Sequence, residues 1–324
     1  MSKKQLAWQL PSIIISCLTI IFIFLFFNSM IYLIFTSRCA SNFGTQTQAK
    51  IIEVENYLPF DENSKIYKLE SNTLIEGDLP ILDGATALLP VYSSIAHAIY
   101  PKESVIFENG KYTDDSSIRF TDTKYAYQGV VDGDVDIIIC AGPSKDQAQY
   151  AKDNNVELVY VPIGYEAFVF INHIDNPVTN LTVEQVRDIY TGKITNWSQV
   201  GGPNKFINPL TRPDASGSQA TMVRFMNGRE IKKYPYQVFG ASIGFSFRFY
   251  VEGLVGNSKV KLLSINGVEP TKENIASKKY PISVEFYAVY RKDNDNPNIQ
   301  KVIDFILSDE GQEIIDKTGY VKIK

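Results

Sequence analysis

Two short stretches of this 324-residue chain collect residue types that grip an anion without reacting with it. Residues 208–226 read NPLTRPDASGSQATMVRFM. Apolar Leu210 leads into Arg212, Pro213, Asp214, Ala215, Ser216, Gly217 and Ser218, and Ala220, Met222, Val223, Phe225 and Met226 then continue as a helix. A guanidinium forks onto two oxygens, hydroxyls donate to others, and the first turn of a helix favours negative charge. That set suits a tetrahedral oxyanion. Asp214 is near enough in sequence to hold Arg212, and Pro213 stiffens the turn. The same pattern also reads as a surface loop with an ion pair, and the residues alone leave both readings open.

The second stretch is ILDGATALLP, residues 81–90. Ile81 and Leu82 read as a strand end, Gly84 permits a close backbone approach, and a helical pattern follows. Thr86 offers a hydroxyl, and the N–H groups of Thr86 and Ala87 fall where a first helical turn leaves donors unpaired. A plain helix cap by Asp83 or Thr86 explains this stretch equally simply. Two such turns about 130 residues apart suggest two lobes closing on one ligand.

Binding is favoured over chemistry. Only His97 and His173 are available as general bases, and both sit where structural roles suffice. Gly-x-Ser-x-Gly, Walker A and Gly-x-Gly-x-x-Gly are absent from the sequence. No zinc spacing is present, so no metal and no cofactor are expected. Three Cys cannot staple a chain of this length, and Cys140 reads as a buried small residue. A net charge of −4 argues against a broadly basic nucleic-acid binder.

The elements that must position these turns alternate along the chain. LPVYSSIAHAIY (89–100) is helical in pattern, VDIIIC (135–140) is a buried strand, SKDQAQYAKDNN (144–155) a helix, and VELVYVPI (156–163) and AFVFIN (167–172) two strands. TVEQVRDIYTGK (182–193) opens at Thr182 with Gln185 in a capping box and closes at Gly192. ASIG (241–244) reads as punctuation, YPISVEFYAVY (280–290) as a strand, and NIQKVIDFILSDEGQEIIDKTG (298–319) as one helix. The alternation predicts an α/β fold with parallel sheets, whose ligands sit at strand carboxyl ends against helix N-termini.

Ahead of this lies an uncharged run of 23 residues, Ile13 to Phe35. As a helix it spans roughly 34 Å, enough for a hydrocarbon core of about 30 Å. Lys3 and Lys4 place the N-terminus on the cytoplasmic side. An uncleaved anchor is preferred to a cleaved leader, because the apolar run is long and Arg38 stands where small residues are wanted. With Lys3, Lys4 and Arg38 set aside, 29 basic and 36 acidic residues remain, a net −7.

Several blocks carry a family resemblance: DGATALLP, NPVTNLTVEQVRDIYTGKITNWSQVGG (176–202), TRPDASGS, IGFSFRFY (243–250), INGVEPTKENIASKKYPIS (265–283) and FILSDEGQEIIDKTGYV (305–321). In these the chain resembles the PstS-type substrate-binding proteins of phosphate ABC transporters. The resemblance implies a periplasmic-binding-protein type II fold, α/β, with two lobes joined by hinge strands at 162–170 and 280–290. The implied organisation is a cytoplasmic N-terminus (1–12), a membrane anchor or signal segment (13–36), a tether (37–74), lobe one (75–164 and 285–324) and lobe two (165–284). Ligand contacts implied by the family fall on Thr86, Ala87, Arg212, Ser216, Gly217 and Ser218, with Asp214 as the partner of Arg212. A further hydroxyl falls on Thr123, with Thr121 nearly as well placed.

In one respect the chain departs from the family pattern. Where well-known members carry an aspartate that accepts the proton of hydrogen phosphate, this chain has Ala141 or Gly142. Asp122 or Asp83 is available as a substitute, Ser144 as a donor, and another small oxyanion as the ligand. The expectation is a monomeric, membrane-anchored, extracytoplasmic solute-binding protein, not an enzyme, that passes inorganic phosphate or a similar oxyanion to an ABC permease. The alternative is a membrane-anchored extracellular anion sensor docking on a signalling partner.

Overall fold

The computed structural model describes residues 18–31, 52–234, 241–256 and 258–323. The chain divides into two compact units, residues 1–51 with 234–237 and all the rest. In the first unit, residues 18–31 form a helix whose residues are all exposed. The remainder of the expected membrane segment 13–36 lies outside the described residues, and among those described no helix is long and apolar enough to cross a membrane.

The second unit is built on one eight-stranded sheet. Its strands are β1 (Leu82–Gly84), β2 (Ile137–Ala141), β3 (Leu158–His173), β4 (Ile207–Pro209), β5 (Ala241–Phe247), β6 (Val260–Leu262), β7 (Ser283–Arg291) and β8 (Val321–Lys322). Across the sheet the order is β1-β2-β7-β3-β5-β4, with β6 and β8 also paired to β3. Among the described strands of this sheet, parallel pairing occurs at the two ends, β1 with β2 and β4 with β5. The central strands β7 and β3 run antiparallel to their neighbours, so the sheet is mixed and not the parallel one expected.

β3 joins the two ends. Its first half pairs with β7 as far as Ser283 opposite Ala167, and its second half pairs with β5 from Phe168 opposite Phe247. VELVYVPI and AFVFIN are therefore one 16-residue strand, not two. Pro162 cannot donate to a ladder, and the register of β7 shifts between Phe286 and Tyr287 opposite this point. The bulge absorbs the proline, and the carbonyl of Ile163 accepts from Gln312 Nε2 at 3.1 Å. Glu166 is buried at the crossover, 3.5 Å from Arg248 Nε, and accepts the N–H groups of Ala167 and Phe249.

Each end of the sheet has its own apolar core. One gathers Leu82, Ile95, Ile139, Val302, Ile306 and Tyr320, with α1 (Leu89–Ile99), α6 (Ile299–Leu307) and α7 (Asp309–Lys317) among its contributors. The other gathers Phe168, Phe170, Ile189, Trp197, Met222 and Phe245, with α4 (Val183–Thr191) and α5 (Gly217–Phe225). A smaller cluster covers the opposite face of β2, where Ile138 and Cys140 meet Tyr127 and Val130 of α2 (Asp122–Asp132). Ile137 and Ile139 point the other way, so VDIIIC is apolar throughout because both faces are covered.

Local signals explain most boundaries. Thr182 caps α4 in a capping box with Gln185, and Gly192 closes it in the left-handed conformation. Residues 298–319 form two helices, not one. Ser308 is extended, with its hydroxyl accepting the Gly311 N–H to restart the chain as α7. ASIG belongs to strand β5 instead of forming a turn. The tether also differs from expectation over 52–74: Ile52 and Ile66 are buried, the Phe60 N–H donates to His97 Nδ1, and Tyr67 and Ser71 donate to Glu313 and Glu310 of α7. This segment lies on the molecule as a strap.

Candidate functional site

β1 and β2 end at the same edge of the sheet, with Gly84 opposite Ile139. Beyond β1 the chain makes a single 3-10 turn, Thr86–Leu88. The Ala85 carbonyl accepts the Leu88 N–H, and the Thr86 and Ala87 N–H groups precede any carbonyl within the turn that could accept them. Tyr320 donates its hydroxyl to the Ala87 carbonyl and pins the turn. Gly84 serves the sheet more than a ligand. A Cβ there would stand 2.4 Å from the Ile139 carbonyl oxygen, so the residue that approaches closely is a neighbouring strand.

Across from this edge, Ser216 caps α5, its hydroxyl accepting the Gln219 N–H at 3.2 Å and lying 3.5 Å from Ser218 Oγ. The Gln219 side chain returns to accept the Arg212 N–H at 2.9 Å, fixing the loop onto the helix. The two halves meet at Gly217. A Cβ on it would lie 3.7 Å from Thr123 Oγ1 and 3.8 Å from Ala141 Cβ. Thus the N-terminal turns of α5 and α2 and the end of β2 face one another, with hydroxyls on both helices and the Ala141 methyl on the strand.

The two threonines of the α2 entry divide their roles. Thr121 gives both its N–H and its hydroxyl to Asp83, while Thr123 faces Gly217. Asp83 is buried and also accepts the Gly84 N–H at 2.7 Å, so its oxygens are occupied by the protein. Asp122 is exposed at φ 75° and caps α2 through the N–H groups of Lys124 and Tyr125. Ser144 caps α3 (Lys145–Asp153) in a capping box with Gln147. The residues foreseen as substitutes for the missing aspartate are therefore engaged in structural hydrogen bonds.

Asp214 is exposed and makes no ion pair with Arg212 among the described residues, against expectation. Two positions of separation on an exposed turn let the carboxylate face water. What faces the Arg212 guanidinium is the buried Tyr250 hydroxyl, without a hydrogen bond of ordinary geometry. Burial raises the Tyr250 phenol and the Arg212 charge partly offsets it. Tyr250, Gln219, Gln147 and Arg224 escaped sequence reasoning. Tyr250 ends the block IGFSFRFY, and Gln219 and Arg224 lie within NPLTRPDASGSQATMVRFM, where the anion-gripping residue types drew the reading to Arg212 and the serines. His97 and His173 accept from the N–H groups of Phe60 and Asp175 and are remote from these turns in their contacts.

Burial pushes the Asp83 carboxyl up to about 6, outweighing the hydrogen bonds from Thr121 and Gly84 that favour its charge. A raised pKa stabilises the fold at low pH, and that contribution is lost as pH climbs from about 4 through about 6. Relative to an Asp83→Asn variant, the wild-type chain is therefore expected to lose roughly 2 kcal/mol between pH 4 and pH 7. Glu166, pushed up to about 7, titrates in both proteins and drops out of the comparison. Parallel urea titrations across this range test it; a pH-independent difference would remove Asp83 as the cause.

A family model described as a PBP superfamily domain matches residues 81–310, more than two thirds of the chain. The chain belongs to the PBP superfamily. Its mixed α/β fold is that of type II members, as the resemblance in the sequence implied. Among curated superfamily relatives, the phosphate-binding protein PstS of Borreliella burgdorferi is 30% identical over 185 residues, 49% of this chain and 64% of that protein. The phosphate-binding protein PstS of Bacillus subtilis is 29% identical over 163 residues, 46% of this chain and 52% of that protein. The matched regions thus span between half and two thirds of these relatives. A Clostridium perfringens structure with bound phosphate, described as a phosphate ABC transporter substrate-binding protein, aligns with a TM-score of 0.56 at 28% identity, covering 75% of this chain and 98% of that one. An ABC-type phosphate transport receptor from Vibrio cholerae shares the fold, with a TM-score of 0.54 at 22% identity, covering 74% and 98%.

Proposed function

We propose that this chain is an extracytoplasmic solute-binding protein that captures inorganic phosphate between two lobes and delivers it, chemically unchanged, to an ABC permease. The observation that carries this reading is the convergence at Gly217. Hydroxyls and helix N-termini from the two ends of the sheet face one space there, and the relatives that share the fold are named for phosphate. Thr86 and Ala87 would donate from the turn after β1, Thr123 from α2, and Ser216, Gly217 and Ser218 from α5. Arg212 would supply the charge.

Lobe one would comprise 75–164 and 285–324 and lobe two 165–284, hinged on β3 and β7. Separate apolar cores support this division, since rotation about two strands leaves both buried. The uncharged run Ile13–Phe35 behind Lys3 and Lys4 supports an N-terminal anchor with the lobes outside. No nucleophile–base pair stands among the converging groups, which supports binding without catalysis.

Hydroxyls can accept as well as donate, so the proton of hydrogen phosphate has a place to go without a free carboxylate. Discrimination against sulfate is then weaker than a carboxylate would give. Isothermal titration of the detergent-solubilised full chain, freed of phosphate by an enzymatic scavenger, should show one phosphate site at pH 7, with sulfate competing. Silence towards phosphate would overturn the reading.

A further inference from the structure

We propose that Arg224 is a latch across the cleft, governing how long a bound ligand stays; this rests on the two-lobe reading above. Arg224 lies two turns beyond Gly217 on α5, about 10 Å along the helix axis. Its Nη1 donates to the Pro143 carbonyl at 2.9 Å and reaches the Gly142 carbonyl at 3.4 Å. Its Nη2 donates to Thr221 Oγ1 at 2.9 Å, which fixes the guanidinium against its own helix. Gly142 and Pro143 directly follow Ala141, the residue that meets Gly217. One helix of lobe two therefore touches the end of one strand of lobe one at two successive points, the first at the ligand space and the second at Arg224.

A second cross-lobe contact stands beside it. Gln147 of α3 approaches the Thr123 carbonyl at 3.4 Å and the Ala215 carbonyl at 3.5 Å, one on each lobe. Tyr127 donates to the Ala141 carbonyl at 2.8 Å. The acceptors of Arg224 across the cleft are backbone carbonyls, so the latch needs no carboxylate. Charge-assisted bonds of this kind form only when the lobes are together, so they act on release more than on capture.

The test is Arg224→Ala and Arg224→Lys in the full chain, because Gln147 also closes the capping box of α3 and its loss is not specific. Stopped-flow release of phosphate should quicken by about tenfold in Arg224→Ala, with association changed by less than about twofold. Arg224→Lys, which can reach one carbonyl, should fall between. Hydrogen exchange supplies a readout that needs no ligand. Residues 141–147 and 215–221 should exchange faster in Arg224→Ala while β2 residues 137–140 stay protected as in the wild type. Unchanged exchange at both segments overturns the latch, as does faster exchange in β2, which would make Arg224 a plain fold element. Absence of phosphate binding in the wild type would instead defeat the functional reading, with exchange still deciding the latch.

Discussion

Replacing Arg212 by alanine is expected to weaken phosphate binding by about two to three orders of magnitude, with little change in thermal stability. Arg212 is half-buried on a loop whose backbone is bonded to α5 through Gln219, so the path of the loop is set before any ligand arrives. Removing it from an anion site deletes a charge and two donors while leaving the ligand's own charge desolvated, which is why the effect exceeds that of one neutral hydrogen bond. Asp214→Ala is the informative contrast. Asp214 is exposed and unpaired with Arg212, so its loss should change the affinity by less than about twofold. Titration calorimetry on both variants decides the matter. A large effect at Asp214 would mean that the carboxylate holds Arg212 in solution, and a small effect at Arg212 would place the anion elsewhere.

What was legible in the sequence is what local chemistry alone dictates. The capping box at Thr182 and the left-handed Gly192 are decided within a few residues, and both stand as read. The two Gly- and hydroxyl-rich turns could be located for the same reason, since a strand end followed by a helix start is a short-range pattern. Contacts that depend on pairing partners were not legible. β3 reads as two strands because Gly164, Tyr165 and Glu166 interrupt the apolar run, and only their pairing with β7 makes the strand continuous. The helix at 298–319 kept its apolar period through Ser308, so periodicity concealed a break that capping produced. Arg224 is invisible for a different reason. Its acceptors are the carbonyls of Gly142 and Pro143, and a carbonyl leaves no trace in residue type. The strap at 52–74 leaves no periodic signal in the sequence because its anchors, Ile52 and Ile66, are too far apart to show one.

The second large effect is expected at Gly84, where alanine should destabilise the fold by about 3 kcal/mol or more. The added methyl would sit 2.4 Å from the Ile139 carbonyl oxygen and 3.1 Å from its nitrogen, and backbone cannot swing aside as a side chain can. Gly84 and Ile139 are directly paired, so β1 must move away from β2 to admit it. That movement would also weaken the Ala85 N–H bond to Ile139, which starts the turn carrying Thr86 and Ala87. Stability and phosphate affinity should therefore fall together, with a drop in Tm of roughly 10 °C for a fold of this size. Gly129→Ala is the control, being the same change in the middle of α2. The nearest atom to a methyl there is Val135 Cγ2 at 3.4 Å, an ordinary contact, and an alanine in a helix interior restricts the unfolded chain. It should stabilise the protein by up to about 1 kcal/mol. Opposite signs for one substitution at two glycines would show that strand contact, not glycine's flexibility, is what position 84 requires. Equal melting of Gly84→Ala and wild type would mean that β1 and β2 are not paired at this point, and the turn after β1 would lose the support on which its place in the site depends.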